Sequence, residues 1–200
     1  MSHYFTNDHS PLVTRQITAT IFGRELTFTT ANGVFSGSRL DLGTSVLLRT
    51  VAPPERGRVL DLGCGFGPIA VGLAVASPEV RVDAVDVNER ALELTRHNAE
   101  RAGVADRIRT HSPDGVTYDE LWSNPPIRIG KAALHELLLT WLPRLKPDGV
   151  AYLVVSKNLG ADSLAAWLTG QGWPTEKLAS AKGYRVLRVT RNPPQITGTA

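Results

Sequence analysis

The 200-residue sequence predicts an α/β protein with a mostly parallel sheet that helices cover on both faces. The first observation is an alternation of short apolar strands and helical segments from residue 57 onward, which is typical of parallel strands joined by helical crossovers. The second is that three of these strands end in unusual residues, namely a glycine-rich turn, an acid and a proline pair. Since open parallel sheets bind ligands at the carboxyl ends of their strands, these three ends form the candidate site.

Length and composition are those of an ordinary one-domain globular protein, with 42% hydrophobic and 20% charged residues. No apolar run reaches the ~18 residues of a membrane span, and the N-terminus shows no signal-peptide pattern. The single cysteine excludes an internal disulfide and suits a reducing cytoplasm, which is the location we expect. His97, His111 and His135 show no metal-ligand spacing, so we expect no metal.

The first 56 residues differ from the rest and predict an N-terminal extension. Residues 14–21 and 25–30 are short β-branched segments on either side of a Phe-Gly-Arg turn, which predicts a hairpin. Asn32-Gly33 is a second turn signal. Residues 40–51 have the pattern of a capped helix that packs on the core. We therefore divide the chain into residues 1–56 and residues 57–200, and the second part contains the main sheet.

In the second part, predicted strands and helices follow one another in order. Residues 68–76 are apolar on every side, as in a buried helix, whereas residues 88–102 are apolar on one face. The segment Lys-Pro-Asp-Gly at 146–149 is a stop signal for the helix before it. The predicted strands cover residues 58–62, 80–87, 107–111, 118–123, 150–156, 174–180 and 183–189. The predicted helices cover residues 68–76, 88–102, 132–145 and 162–170.

The first unusual strand end is the segment 61–68, with the sequence DLGCGFGP. Its three glycines permit a tight turn and let a ligand approach the backbone, and the helix that follows presents free N–H groups. The spacing is not the G-x-G-x-x-G of dinucleotide sites. The Asp61 carboxylate would repel a phosphate but attract an ammonium group. The loop therefore favours a ligand that carries an amino acid, such as S-adenosylmethionine. A plain tight turn is the alternative, and Cys64 is best explained as a small buried residue.

The second strand end is Asp86, in the segment VDAVDVN. An acid at the end of the second strand can accept hydrogen bonds from both ribose hydroxyls of a nucleoside. Val87 and Asn88 follow it and are placed to flank an adenine ring. We interpret the nearby Asp83 as structural, and a solvated surface acid is the alternative for Asp86.

The third strand end is Asn124-Pro125-Pro126, directly after the strand 118–123. Each proline lacks an N–H and has a fixed φ, so the pair stops the strand and holds Asn124 in a rigid, extended backbone. The Asn124 side-chain carbonyl and the Pro125 carbonyl then offer two rigid acceptors to an exocyclic NH₂ group. Such hydrogen bonds favour a pyramidal nitrogen and stabilise the positive charge that grows as it attacks an electrophilic methyl group. Taken alone, Asn-Pro-Pro could also be an Asx turn.

In this order, the three motifs resemble those of class I S-adenosylmethionine-dependent methyltransferases that act on exocyclic or amide nitrogens. More narrowly, nearly the whole chain is similar to the RsmC-like small methyltransferase domain, which methylates N2 of a guanine in small-subunit ribosomal RNA. The segments that carry the narrower resemblance are His3-Tyr4-Phe5, Gly33-Val34-Phe35-Ser36, Leu40-Asp41-Leu42-Gly43-Thr44 and Ile127-Arg128-Ile129-Gly130-Lys131.

The resemblance implies a Rossmann-like, seven-stranded sheet in which the last hairpin makes one strand antiparallel. It also implies that residues 35–44 cover the cofactor S-adenosylmethionine, with Gly43 and Thr44 near its methionine end. The catalytic motif is then Asn124, Pro125, Pro126 and Ile127. The cofactor-binding residues are Phe35, Gly43, Thr44, Asp61, Gly63, Cys64, Gly65, Asp86, Val87, Asn88, Asp114 and Asn124.

Two features depart from the family pattern. Longer members carry a second N-terminal domain that aids RNA binding, and this chain has only the hairpin extension. Position 127 is often aromatic in amino-methyltransferases and stacks on the target base, whereas here it is Ile127. Because stacking is worth roughly 1–3 kcal/mol per base, aliphatic packing would hold a base less firmly. We assign the acid on the adenine side to Asp114, in the segment HSPD.

Charge is distributed unevenly along the chain. Residues 1–122 carry 12 Lys/Arg and 15 Asp/Glu, whereas residues 123–200 carry 10 and 4. We expect an anionic partner on the basic side, either ribosomal RNA or the small ribosomal subunit, with RNA contacts from Arg128, Lys131 and Lys157. A chance distribution of surface charge is the alternative. Two other functions stay open, an N-methyltransferase acting on a protein glutamine or a small-molecule amine, and a non-catalytic RNA-binding relative. The sequence leaves the oligomeric state open.

Overall fold

A computed structural model describes residues 11, 13–126 and 129–191 of the chain. Its elements follow the predicted order, from an N-terminal hairpin through alternating strands and helices to a C-terminal hairpin. The strands are β1 (Thr14–Ile21), β2 (Arg24–Ala31), β3 (Arg56–Leu62), β4 (Glu79–Val85), β5 (Ile108–Arg109), β6 (Tyr118–Ser123), β7 (Leu145–Ser156), β8 (Thr175–Ala181) and β9 (Tyr184–Thr190). The helices are α1 (Leu42–Thr50), α2 (Pro68–Ala76), α3 (Glu89–Arg101), α4 (Lys131–Trp141) and α5 (Ala161–Gly170).

Seven strands form one sheet in the order β5-β4-β3-β6-β7-β9-β8, and β1 and β2 form a separate hairpin. Strands β3 to β7 pair in parallel, whereas β9 is antiparallel to both of its neighbours. The predicted fold class is thus confirmed. The order reverses between β3 and β6, so the carboxyl ends of β3, β4 and β6 meet at one switch point, where such sheets bind ligands.

Alternate residues of the central strands cover the two faces of this sheet. Val59 and Trp122 point to the face that packs against the hairpin, α1, α2 and α3, while their neighbours Leu60 and Leu121 point to α4 and α5. All four side chains are fully buried, and burial of each contributes roughly 1.5–3 kcal/mol. The near-continuous apolar strand sequences follow directly from having helices on both faces.

The N-terminal hairpin packs against α2 and α3. A Cβ on Gly72 of α2 would lie only 2.6 Å from Ile21 Cγ2, so this glycine lets the hairpin approach the helix closely. The buried Asn98 of α3 pairs with the Thr29 backbone, accepting from its N–H at 2.7 Å and donating to its carbonyl at 2.8 Å. The same amide group also donates to the Phe66 carbonyl at 2.8 Å, which ties the hairpin to the glycine loop.

Two predicted elements have different bounds in the structure. Helix α4 ends at Trp141 and continues as a 3₁₀ turn over Leu142–Arg144, because Pro143 supplies no N–H for the α-helical hydrogen bond. The expected stop at residues 146–149 lies inside β7, next to a register shift in its pairing with β6. No helix among the described residues is long and apolar enough to cross a membrane.

Candidate active site

The glycine loop between β3 and α2 opens toward a cavity at the switch point of the sheet. Gly63 and Gly65 have φ of +77° and +58°, a left-handed conformation that favours glycine. A Cβ built on either residue would meet no atom within 4 Å, so a ligand can approach the backbone there. The Val85 carbonyl holds the loop by accepting hydrogen bonds from Gly63 N at 2.8 Å and Cys64 N at 3.0 Å.

Asp61 lies beneath this loop and does not line the cavity. Its side chain is fully buried, and its Oδ2 accepts a hydrogen bond from Ala70 N of α2 at 3.0 Å. Its Oδ1 has no partner among the described residues. Burial raises the pKa of Asp61 to about 7, although the Ala70 hydrogen bond opposes this shift. The structure thus places Asp61 as a group that joins the loop to α2, in contrast to our expectation of a direct ammonium partner.

The raised pKa of Asp61 predicts a specific pH dependence of stability. Between pH 4 and pH 7 the folded chain binds a proton at Asp61 that the unfolded chain has released, so the free energy of unfolding falls as pH rises. Asp61→Asn removes this titration and keeps an acceptor for Ala70 N. We expect the variant to gain about 2 kcal/mol relative to the wild type between pH 5 and pH 7, as measured by denaturant unfolding. Parallel pH profiles of the two proteins would contradict the assignment.

Asp86 follows β4 directly and faces the cavity. Gly65 N donates to its Oδ2 and Asn88 N to its Oδ1, both at 2.9 Å. The two backbone donors fix the carboxylate and leave each oxygen with capacity for a further hydrogen bond. Burial raises the pKa of Asp86, and the backbone N–H groups oppose this rise. Such a group can accept hydrogen bonds from two adjacent hydroxyls of a ligand.

Asn124 also lines the cavity, and both hydrogens of its amide nitrogen have partners. Its Nδ2 donates to Asp41 Oδ2 at 2.7 Å and to Thr44 Oγ1 at 3.1 Å. Asp41 caps α1 and accepts from Thr44 N at 3.0 Å with the same oxygen. No donor from the described part of the chain reaches Asn124 Oδ1, so the carbonyl oxygen is the atom that a ligand can use. The Pro126 carbonyl, by contrast, accepts from Ile129 N at 3.0 Å.

The cavity that these groups share has a volume of about 660 Å³, within the range of small-molecule sites. Its walls come from the segment before α1, the carboxyl ends of β3, β4, β6 and β7, the start of β9, the first turn of α3 and one face of α4. The lining residues are Val34, Phe35, Ser36, Asp41, Leu62, Gly63, Gly65, Val85, Asp86, Val87, Ala91, Asn124, Pro125, Pro126, Ile129, Ala133, Leu137, Trp141, Ser156, Leu159 and Tyr184. Thr44 and Cys64 line a small space of about 20 Å³ that shares part of this lining.

Besides Asp61, three of the expected cofactor residues line neither of these spaces. Asn88 is buried as the cap of α3, where its side chain donates to the Gly33 carbonyl at 2.8 Å and accepts from the Arg90 backbone N at 3.1 Å. Asp114 is exposed in the loop between β5 and β6. Gly43 lies in the first turn of α1, where a Cβ would come within 2.8 Å of the Tyr184 ring. Ile127 and Arg128 lie outside the described residues.

The sequence indicated no individual role for Asp41, Tyr184 or the cavity face of α4, although Asp41 lies in the segment 35–44 that the family resemblance places over the cofactor. Asp41 carried a signal, because it precedes the helix at the N-cap position. Ala133, Leu137 and Trp141 are spaced by four residues and form one helix face, but an apolar face is equally typical of core packing. No local signal marks Tyr184, which reaches the cavity only because β9 lies next to β7.

Exposed lysines lie at the same edge of the sheet as the cavity. Lys131 begins α4, Lys157 follows the last residue of β7, and Lys182 lies in the turn between β8 and β9. The turn and β7 are joined by a hydrogen bond from Lys157 N to the Gly183 carbonyl at 2.8 Å. Arg185, from the same basic half, is paired with Asp162. The described residues contain no group of three or more His, Cys, Asp and Glu that could hold a metal ion.

Comparison with known proteins points to one family. The model of the methyltransferase small domain matches residues 25–188. The Bacillus subtilis protein YbxB, of uncharacterised function, is 31% identical over 198 residues, which are 94% of this chain and 98% of that protein. The ribosomal RNA small subunit methyltransferase C of Shewanella loihica is 34% identical over 144 residues, which are 68% of this chain and 41% of that protein.

A solved structure gives the same result in three dimensions. The T. thermophilus 16S rRNA N2 G1207 methyltransferase (RsmC), in complex with AdoMet and guanosine, matches with a TM-score of 0.77 and 26% identity. The match covers 91% of this chain and 52% of that one. The chain thus spans about half the length of the small subunit methyltransferases that it matches, and nearly the full length of YbxB.

Proposed function

Because this chain belongs to the methyltransferase small domain family, we propose that it transfers a methyl group to the exocyclic N2 amine of a guanine in small-subunit ribosomal RNA. The cofactor is S-adenosyl-L-methionine, since the family is one of methyltransferases and the T. thermophilus structure contains AdoMet. The observation that carries the proposal is the orientation of Asn124, whose amide nitrogen is bound by Asp41 and Thr44 and whose oxygen is left for a ligand.

The residues present fit this cofactor. Asp86 would accept hydrogen bonds from the ribose hydroxyls of the cofactor. Gly63 and Gly65 have open space where a side chain would stand, so the cofactor could lie close to the backbone of the loop. Phe35 and Val87 are 41% and 68% exposed and line the same cavity, so they would cover its apolar parts. When bound, the cofactor supplies an electrophilic methyl group.

Asn124 and Pro125 would act on the nitrogen that receives this methyl group. An aromatic amine is a poor nucleophile because its lone pair is delocalised into the ring. Acceptor oxygens from Asn124 Oδ1 and the Pro125 carbonyl would hold both N–H bonds and stabilise the positive charge that develops on nitrogen. The two prolines and the Asp41 contact fix these acceptors before reaction, so no reorganisation is needed. The chain then needs no strong general base, since the product ammonium is acidic.

Guanine in RNA is favoured as the substrate by two kinds of observation. The T. thermophilus relative is described with guanosine and as an N2 methyltransferase of 16S rRNA. In this chain Lys131, Lys157 and Lys182 lie at the edge of the sheet that holds the cavity, where they could contact phosphates. A paired guanine presents N2 in the minor groove and must leave its stack to reach the cavity, so a structured RNA or ribosomal particle is the expected substrate. A cytoplasmic site of action follows from that substrate.

Transfer from labelled S-adenosyl-L-methionine tests the proposal. The acceptors to compare are small ribosomal subunits, naked ribosomal RNA, total protein and free guanosine. We expect label in RNA or subunits, recovered as N2-methylguanosine after digestion. Label in protein, or efficient methylation of free guanosine, would overturn the assignment of RNA as the substrate. The assignment of methyltransferase activity would still stand. Absence of label from every acceptor would favour a non-catalytic relative.

A charge-reversal pair extends the same assay to the RNA-binding edge. We expect Lys131→Glu with Lys157→Glu to raise KM for RNA roughly tenfold and to reduce the salt dependence of binding, while cofactor affinity is unchanged. The matched control is Arg56→Glu with Arg81→Glu, two exposed residues at the amino ends of β3 and β4 that change the net charge equally. Equal effects of the two pairs would show that net charge alone matters.

A further inference from the structure

We infer that Asp41 is a positioning residue for methyl transfer, which holds the Asn124 amide in its productive orientation and increases the acceptor strength of its oxygen. This inference rests on the proposed function of Asn124 as the group that binds the reacting amine. It adds a residue from the segment before α1, far from Asn124 in sequence, to the reacting end of the site.

The hydrogen bonds around Asn124 permit only one orientation of its amide. The carboxylate of Asp41 is an acceptor only, and it lies 2.7 Å from Asn124 Nδ2. Rotating the amide by 180° would place Asn124 Oδ1 against this carboxylate, with two acceptors in contact and no proton between them. The Thr44 hydroxyl oxygen lies 3.1 Å from Asn124 Nδ2 and accepts a hydrogen bond from its second hydrogen. Both hydrogens are thus used by Asp41 and Thr44, and Oδ1 is the atom of the amide that is left for a ligand.

The charge on Asp41 also acts through the amide. A hydrogen bond from an amide N–H to a carboxylate is stronger than one to a neutral acceptor. It draws electron density toward the amide oxygen, because hydrogen bonds in a chain polarise one another. The oxygen of Asn124 therefore carries more negative charge than it would if the same N–H group donated to a neutral acceptor. Such an oxygen is better suited to stabilise positive charge on an attacking nitrogen, so Asp41 would act on the transition state more than on the bound substrate.

The same carboxylate couples catalysis to the segment that covers the cavity. Asp41 Oδ2 accepts from Thr44 N and caps α1, so its position depends on the start of that helix. Phe35 and Ser36 of the preceding segment line the cavity together with Asn124, which follows β6. When the segment is in the position seen in the structure, the amide is oriented. A displaced segment would leave Asn124 free to rotate.

Two substitutions separate the positioning role from helix capping. Asp41→Ser keeps an N-cap of comparable strength but is too short to reach Asn124, whereas Asp41→Asn keeps the cap and a neutral acceptor. We expect Asp41→Ser to lower kcat roughly 10–100-fold with unchanged melting temperature and with cofactor Kd within about threefold of wild type. Asp41→Asn should restore part of the rate. In an Asn124→Ala background, Asp41→Ser should have almost no further effect, because the group that it positions is absent.

A measurement that needs no substrate keeps the inference independent of the proposed function. The Asn124 side-chain NH₂ resonances, identified by their loss in Asn124→Ala, should be well separated and slow to exchange with water in the wild type. They should exchange faster in Asp41→Ser. Unchanged resonances, a normal kcat in Asp41→Ser, or an equal loss of rate with and without Asn124 would overturn the inference. If the resonances changed in Asp41→Ser but the wild-type chain methylated no acceptor, the contact between Asp41 and Asn124 would be supported and the proposed function would be rejected.

Discussion

Asn124→Ala is expected to reduce turnover by roughly 10²–10³ while leaving cofactor affinity close to that of the wild type. The substitution removes one preorganised hydrogen-bond acceptor that acts where charge develops, and losses of this kind typically have that size. The Asn124 side chain contacts Asp41 and Thr44. Asp86, the carboxylate proposed to bind the ribose of the cofactor, and its contact with Gly65 N are not altered by the substitution. Single-turnover methyl transfer and calorimetric titration of S-adenosyl-L-methionine measure the two quantities separately.

The control for this variant is Ser123→Ala, one residue earlier in the chain. Ser123 is buried and donates to the Leu62 carbonyl at 2.7 Å, so its loss perturbs the same strand end without removing an acceptor from the cavity. We expect lower stability and a nearly normal rate for this control. If Asn124→Ala lowered cofactor affinity and left the transfer rate intact, Asn124 would be a cofactor ligand and the proposed chemistry would be wrong.

Asp86→Ala is expected to weaken S-adenosyl-L-methionine binding by about 2–4 kcal/mol, or roughly 30- to 1000-fold in Kd. The carboxylate is the charged acceptor that faces the cavity at the end of β4, and it also holds Gly65 N and Asn88 N at 2.9 Å. Its removal therefore costs the ligand two hydrogen bonds and loosens the loop. Asp86→Asn keeps an oxygen for one of the backbone donors, so its Kd for the cofactor should lie between those of the wild type and Asp86→Ala.

Asp114→Ala is the matched control, because sequence reasoning assigned this acid to the same cofactor. The structure places Asp114 exposed in a loop and outside the cavity lining. We therefore expect its removal to leave Kd unchanged within about twofold. Comparable losses for Asp86→Ala and Asp114→Ala would mean that the loop between β5 and β6 closes over the ligand, and that the cavity as described is incomplete.

The local patterns of the sequence predicted the fold class and three strand ends that the structure brings to one cavity. Alternation of apolar strands and helices predicted the parallel sheet, since each strand buried on both faces must be apolar throughout. The glycine loop, Asp86 and Asn124 were recognised because each follows a strand directly, and the carboxyl ends of parallel strands meet at one edge. The family resemblance added the antiparallel strand, which β9 confirms.

Two other predicted residues have contacts in the structure that the sequence did not indicate, because a residue type can serve two purposes. Asn88 was expected beside an adenine, but the same amide that can flank a ring also caps a helix, and it caps α3. Asp61 was expected to meet the ligand, yet a residue near the end of a strand can point beneath the loop that follows it, and burial of this carboxyl against α2 raises its pKa to about 7. Neither choice is decided by the neighbouring residues in the chain.

The sequence by itself thus determined the order of the elements and the chemistry available at each strand end. Only the tertiary structure decided which side chains meet. Asp41 and Asn124 are 83 positions apart, and their 2.7 Å contact exists because α1 packs against the sheet beside β7 and β9. Tyr184 likewise reaches the cavity because the sheet order places β9 next to β7. Hydrophobic periodicity records which face of an element is buried, but it does not record the partner, since burial of apolar surface is non-directional.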